Sequence, residues 1–359
     1  MRHASVPKSV ISLIRRRLLR WFDRNRRDLP WRHNRDPYCI WVSEVMLQQT
    51  TVATVRRRFE QFLRRFPTVV DLAAANEQEV LHAWQGLGYY RRARHLHAAA
   101  KQLVCEYDGR LPDDPAVWAR LPGVGRYILG AVLSQAFNRR LPIVETNSQR
   151  LLCRLFAQSG DPKSGPVKEW LWRTAEILLP TRRSGDFNQG LMELGALVCT
   201  PTDPKCGQCP LQRICAARLK GTQHTIPLRA MRECTTEIRE VAVVVRKAGR
   251  VLLARRPDNA RWSGMWEFPH GELARGESPT AAAARVIQSL VGLRITLGQK
   301  LLVVRHGVTR FRITMTCLEA KHRAGSFDSS FYVEGRWFRP SQLNHVPISS
   351  PQWLLVRTL

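Results

Sequence analysis

The apolar residues of this chain change their spacing once, and that change restricts the possible folds more than any other feature. From the N-terminus to about residue 220 they recur at a period near 3.6. Breaks fall at turn-forming clusters such as 112–115, the pattern of packed helices. The stretch 221–236 is polar and without period. Behind it come β-branched runs at 241–245 and 251–254, separated by the turn Lys247-Ala248-Gly249, and further apolar runs at 301–304 and 311–318. The spacing predicts an all-α domain over 1–220, a linker over 221–236 and a smaller α+β domain over 237–359. A chain of 359 residues is also longer than one core usually serves.

Charge narrows the partner. The formal net charge is +28, and 48 of the 57 basic residues are arginine. Arginine presents a planar fork of donors that suits phosphate, and groups such as Arg15, Arg16 and Arg17, Arg56, Arg57 and Arg58, and Arg91, Arg92 and Arg94 recur through the helical part. Solvated helix faces account for some of them. They do not account for acids being half as numerous as bases, so a polyanion is the expected partner. No apolar run is long enough to span a bilayer, and the N-terminus lacks the pattern of a secretory signal. An intracellular protein of the cytoplasm or nucleoid, away from membranes and monomeric, is expected. The basic, acid-free first twenty residues have something of an organelle transit peptide, but they run into Trp21 and Phe22 as one amphipathic helix.

Nine cysteines in an intracellular chain argue against a disulfide framework. Cys39, Cys105, Cys153, Cys234 and Cys317 are scattered, whereas Cys199, Cys206, Cys209 and Cys215 are separated by six, two and five residues. Four such thiols suit zinc or a cubane iron-sulfur cluster, although zinc sites usually pair two short knuckles and only one is present. The spacing resembles the [4Fe-4S] loop of the endonuclease III and MutY families, and that resemblance implies a structural cluster that presents Lys205 and Arg213 to DNA.

Three further segments carry the same resemblance. In Leu121-Pro122-Gly123-Val124-Gly125-Arg126-Tyr127, Gly123 and Gly125 allow a tight turn that brings backbone amides to a phosphate at a helix start. The segment is similar to the hairpin of the helix-hairpin-helix glycosylases. Lyase members of that superfamily place a nucleophilic lysine where this chain has Tyr127, and between Lys8 and Lys163 the one lysine is Lys101. A monofunctional glycosylase is implied. The segments 29–32, with Trp31 and Arg32, and 43–50, with Glu44, Gln48, Gln49 and Thr50, are very similar to MutY. Glu44 stands among Val42, Val45, Met46 and Leu47, which would raise its pKa and keep a proton available for adenine N7. The resemblance makes it the general acid.

The MutY aspartate that stabilises the oxocarbenium-like sugar is matched by Glu145 in Val144-Glu145-Thr146-Asn147-Ser148, one methylene longer, with Asn147 retained. Leu87 and Tyr89 resemble residues that wedge the duplex. Gln48, Gln49 and Thr50 resemble those around the orphaned partner base, and Glu193 matches an acid that contacts the flipped adenine. In the second domain Gly271, Glu277, Arg285, Ile287, Gly292 and Leu293 fall at the spacings of a Nudix box. Val286, Ser289 and Leu290 replace the acids that would hold magnesium, so hydrolysis should be lost. The loop in which MutY reads 8-oxoguanine aligns with Val308, Thr309 and Arg310, where Thr309 keeps a hydroxyl donor.

The expectation is an all-α helix-hairpin-helix DNA glycosylase domain with a [4Fe-4S] cluster loop, followed by an α+β Nudix-like domain. Its partner would be double-stranded DNA holding adenine opposite 8-oxoguanine or guanine. Two rivals remain: an endonuclease III-like glycosylase with lyase activity, opposed by Tyr127 and the second domain, and a decayed DNA-binding protein, opposed by the carboxyls of Glu44 and Glu145.

Overall fold

The computed structural model describes residues 6–228, 235–258, 260, 262–308 and 310–359. Among these the first part of the chain forms helices α1 (Lys8–Asn25), α2 (Pro37–Leu47), α3 (Val52–Arg65), α4 (Val69–Ala74), α5 (Glu77–Ala83), α6 (Arg91–Tyr107), α7 (Pro115–Arg120), α8 (Arg126–Phe137), α9 (Thr146–Leu155), α10 (Gly165–Leu178), α11 (Ser184–Leu197) and α12 (Ala216–Leu219). Strands β1 (Thr236–Lys247), β2 (Arg250–Arg255), β3 (Trp266–Glu267) and β4 (His270–Glu272) follow, then α13 (Pro279–Val291), β5 (Arg294–Val308), β6 (Phe311–Ala324), β7 (Glu334–Phe338) and α14 (Ser350–Val356). No helix among the described residues is long and apolar enough to cross a membrane.

The chain divides into two compact units. One takes in Met1–Leu63, Thr68–Val70 and Ala99–Met231, the other Arg64–Pro67, Asp71–Ala98 and Arg232–Leu359. Packing therefore adds α5 and the start of α6 to the unit that holds the sheet. Arg94 of α6 pairs with Glu77 at 2.8 Å and Asp258 at 2.9 Å, and the amides of Gln78 and Gln85 donate to the carbonyls of Gly264 and Ile348.

In the first unit α2 is the central helix, and its sequence says why. It starts at Asp36, whose carboxylate accepts the Tyr38 amide, with Pro37 at the first helical position. Tyr38 and residues 40–46 are all buried, so the helix has no solvent face. It packs on α8, whose Ile128 and residues 130–135 are also buried. A second cluster joins α1, α9, α10 and α11 around Leu18, Leu152, Leu171 and Phe187, and continues into the cysteine loop at Leu211. Close approach of α11 to α9 depends on Gly195, where a Cβ would stand 2.6 Å from the Asn147 carbonyl oxygen.

In the second unit the strands form one sheet in the order β3-β2-β1-β6-β5, with β4 beside β1 and β7 beside β2. β1 and β2 form a hairpin whose two turn residues, Ala248 (φ 46°) and Gly249 (φ 71°), both take the left-handed backbone that a tight hairpin needs. The unbroken apolar run on β1 reflects burial on both faces. Val241, Val243 and Val245 meet Ala282, Ala283, Val286 and Ile287 of α13. Ala242 and Val244 meet a cluster that includes Leu355 of α14. Val286 is core here, with Gly271 packed tightly against its side chain, and Glu277 is tied to Arg285 at 2.6 Å.

Beside the sheet lies a buried ionic cluster. His270 Nδ1 is 3.2 Å from Glu240 and its Nε2 is 3.3 Å from Glu267. Glu267 also accepts from Arg256 and from the Tyr332 hydroxyl, each at 2.8 Å. Burial would lower the imidazole pKa, but the two carboxylates outweigh it and raise it from 6.5 to about 10. Both carboxyls lie below the ordinary range, because the cations around them outweigh burial. Stability from His270 is thus full below pH 6.5, erodes as the pH rises, and is gone above about 10. That of the carboxylates is present above pH 4.5 and lost as the pH falls. Replacing His270 by Gln should destabilise the fold by roughly 3–5 kcal/mol and flatten the alkaline decline in denaturant unfolding of the full chain. Unchanged midpoints across that pH range would count against this role.

Candidate active site

The site is built where α2, α8, α9 and α11 meet. Its cavity of about 810 Å³ is lined by residues that include Arg27, Trp31, Arg32, Glu44, Gln48, Gln49, Thr50, Tyr127, Gln135, Glu145, Asn147, Met192 and Glu193. One space therefore gathers most of the residues singled out from the sequence.

Glu44 is 3% exposed. Its Oε2 accepts the Tyr127 hydroxyl at 2.6 Å and its Oε1 accepts Gln135 Nε2 at 2.9 Å. Burial pushes the carboxyl above the usual range, although both hydrogen bonds and the charge of Arg32 pull the other way. Tyr127 is held well above its ordinary value by burial and by the neighbouring carboxylate, so it stays a neutral phenol.

Glu145 does not reach across the cavity. It turns back to cap α9, accepting Ser148 N at 2.7 Å, Asn147 N at 2.8 Å and Asn147 Nδ2 at 3.0 Å. The extra methylene is absorbed in that loop, and the carboxyl sits at a helix N-terminus, where negative charge is favoured. Burial raises its pKa, against these donors and Arg150. Asn147 Oδ1 in turn accepts Arg150 at 2.9 Å, and the same buried guanidinium donates to the carbonyls of Gly195 and Cys199, each at 2.7 Å.

Glu193 is buried beneath two arginines. Arg27 donates to both of its oxygens at 2.8 Å, and Arg32 does so at 3.1 and 3.2 Å. Burial alone would raise its pKa, yet the arginines hold it at about 2. Any group that approaches this carboxylate from the cavity therefore meets Arg27 and Arg32 as well. Trp31 is buried edge-on against Phe59, and Gln49 is exposed in a left-handed backbone conformation (φ 56°).

The hairpin delivers α8. Gly123 takes φ 76°, while Gly125, the cap of α8, has an ordinary φ of −92° and a Cβ there would meet nothing within 4 Å. Neither backbone nor packing requires glycine at 125, so the bare helix end is open to a ligand. In the second unit Leu87 is buried, whereas Tyr89 is 51% exposed at φ 47°. Arg92 donates to the carbonyls of Leu87 and Gly88, each at 3.0 Å, and lies over the Tyr89 ring. Thr309 lies outside the described residues; Val308 ends β5 before it.

Cys199, Cys206, Cys209 and Cys215 line one small cavity with Arg154, Arg218 and Gln223. Arg154 donates to Cys199 Sγ at 3.4 Å and to the carbonyls of Thr200, Pro201 and Ile226. Among the described residues no three Cys, His, Asp or Glu side chains gather as a site for a single metal ion.

Sequence reasoning missed Arg27, Gln135, Arg150, Arg154 and Met192. Two signals were available: Arg150 and Arg154 are four apart on α9, and Tyr127 and Gln135 are eight apart on α8, so each pair shares a helix face.

Comparison with known proteins agrees with this arrangement. Residues 42–176 match the HhH-GPD superfamily of base excision DNA repair proteins and residues 240–358 match the NUDIX domain. The chain is 38% identical to the adenine DNA glycosylase of Mus musculus, over 74% of this chain and 62% of that one. It is 34% identical to the adenine DNA glycosylase of Buchnera aphidicola subsp. Acyrthosiphon pisum, over 70% and 72%. The chain thus spans about three fifths of the length of the mouse relative. A thermostable thymine-DNA glycosylase superposes with a TM-score of 0.52 at 32% identity, over 59% of this chain and 96% of that one. With its helical base excision domain and following Nudix domain, the chain belongs to the adenine DNA glycosylases.

Proposed function

We propose that the protein is a monofunctional adenine DNA glycosylase of base excision repair, hydrolysing the N-glycosidic bond of adenine mispaired with 8-oxoguanine or guanine in double-stranded DNA. The observation that carries this is the pair of carboxyls, Glu44 and Glu145, facing one cavity with burial keeping Glu44 above the usual carboxylate range. Adenine leaves poorly unless protonated. Glu44 gives its proton to N7, and the electron pair of the C1′–N9 bond passes to the base. Glu145, held by three N–H donors at the start of α9, opposes the positive charge left on the sugar. A water then adds to C1′ and returns a proton to Glu44. Among the described residues no lysine lines the cavity, and Lys101 is exposed on α6. A Schiff-base route therefore lacks its nucleophile. Gly123 and Gly125 would hold a backbone phosphate, Tyr89 would contact the duplex, and Thr309 would donate to the oxidised partner base.

We infer that the four cysteines would hold a [4Fe-4S] cluster, on their spacing and on the cavity they line together. Their thiols share one cavity, and Arg154, which also lines it, donates to Cys199 Sγ. When bound, such a cluster supplies a cross-link for a loop with little secondary structure of its own. Arg150 and Arg154 join that loop to α9 and so to Asn147.

Single-turnover assays on duplexes holding adenine opposite 8-oxoguanine, guanine or thymine test the activity. Glu44→Gln should retain duplex binding and lose excision by about 10²- to 10⁴-fold, since the amide cannot deliver a proton. Near-normal excision would remove Glu44 from the role. Product strands should stay intact until treated with hot alkali, and efficient borohydride trapping would show instead that a lysine acts. Purified protein should be brown, with about four irons per chain. Stoichiometric zinc in colourless protein would overturn the cluster.

A further inference from the structure

Gln135 has no part in the steps above, yet its amide is buried against the acid they depend on. It also lines a second, polar cavity of about 90 Å³ with Arg26, Asn34 and Asn138, so it is more than filler between apolar helices. Tyr127 and Gln135 each occupy one oxygen of Glu44, but the two donors differ in kind. A phenol hydroxyl can rotate and can accept as well as donate, whereas an amide nitrogen only donates. The Tyr127 hydroxyl also has a second partner within reach, Met192 Sδ of α11 at 3.6 Å.

A protonated Glu44 carries its hydrogen on one oxygen. On Oε1 that hydrogen would meet the amide hydrogens of Gln135, which would have to turn its whole amide over to present an acceptor, a larger rearrangement than the turning of one hydroxyl hydrogen. On Oε2 it can be accepted by Tyr127, provided the hydroxyl hydrogen turns elsewhere. We propose that Gln135 is a positioning residue that confines the acidic proton of Glu44 to Oε2, and that Met192 Sδ receives the Tyr127 hydroxyl whenever that proton is in place. The chemical consequence rests on the glycosylase reading; the position of the proton does not. In that chemistry the Oε2–H bond breaks as the N7–H bond forms and the positive charge moves to the base. Tyr127 then turns back to donate to the new carboxylate. The other charged groups around Glu44 are Arg32, which favours the anion, and Glu145 at the start of α9, which opposes it. Glu193 of α11 is neutralised by Arg27 and Arg32. None of these changes when Gln135 or Met192 is replaced.

The experiment is an infrared titration of the Glu44 carboxyl in the full chain, as a difference against Glu44→Gln, for the unsubstituted protein, Gln135→Leu and Met192→Leu. Gln135→Leu removes a donor to the anion and should raise the carboxyl pKa by about one to two pH units. Met192→Leu removes an acceptor that only the acid form needs and should lower it by roughly half a unit. The alkaline limb of single-turnover adenine release should move in the same two directions. Packing damage alone would not produce opposite shifts. An unchanged titration in Gln135→Leu, or shifts of one sign in both variants, overturns the proposal; if the leucine variant does not fold, Gln135→Met serves the same comparison. Opposite shifts in a protein that releases no adenine would uphold the placement of the proton and overturn the glycosylase reading.

Discussion

Much of the first unit follows from placing one carboxyl where water does not reach. α2 is apolar on every side because it runs through the middle of the helices, and Glu44 interrupts it. A buried carboxyl without partners is strongly destabilising, so the neighbouring helix has to supply donors. α8 does so from two turns of one face, and it can be central itself because its other positions beyond the exposed Arg126 are small or apolar. The same burial that burdens the fold pushes the carboxyl above the ordinary carboxylate range. Stability and chemistry pull against each other at this residue, and the donors from Tyr127 and Gln135 moderate both.

The second carboxyl is also pushed up by burial, but it takes its donors from its own helix start. Glu145 is fixed by backbone amides at a helix start, an arrangement that favours the anion and leaves little freedom of position. What holds that helix start is Arg150, which donates to Asn147 and to the carbonyls of Gly195 and Cys199. Cys199 opens the cysteine loop. Anything that orders the loop therefore also orders the residues around Glu145, through one buried side chain rather than through the backbone. Gly195 belongs to the same arrangement, since any side chain there would push α11 away from Asn147.

Secondary structure and many of the residues that line the cavity were legible because each leaves a local pattern. The change of period marked the passage from helices to sheet, the Ala248-Gly249 turn marked the β1–β2 hairpin, and the segments around Glu44, Gly123 and Glu145 are short and contiguous. Tertiary partners left weaker traces. Gln135 reads as a polar break in an apolar helix until Glu44 is seen beside it, and Arg150 reads as one more arginine in a chain that has 48. The path of the Glu145 side chain was not legible at all. Whether an added methylene extends or folds back depends on the amides at the start of α9, which only the folded backbone supplies. The placing of residues 71–98 with the sheet was equally invisible, since nothing in their helical period shows what covers them.

The excess of arginine then divides into two populations with different work. Arg15 and Arg140 bond the last carbonyls of α10, including those of Leu178 and Leu179. Arg150 and Arg154 bond the carbonyls of the cysteine loop, and Arg27 and Arg32 neutralise Glu193. These satisfy backbone carbonyls and the buried Glu193 carboxylate within the first unit. Arg16, Arg20, Arg56 and Arg57 instead lie exposed on α1 and α3. Counterion release scales with the phosphates neutralised and not with formal charge, at a slope of about −0.9 per contact on duplex DNA. A polyanion would therefore meet fewer charges than the formal +28, because part of that charge is engaged in hydrogen-bonding structure within the protein.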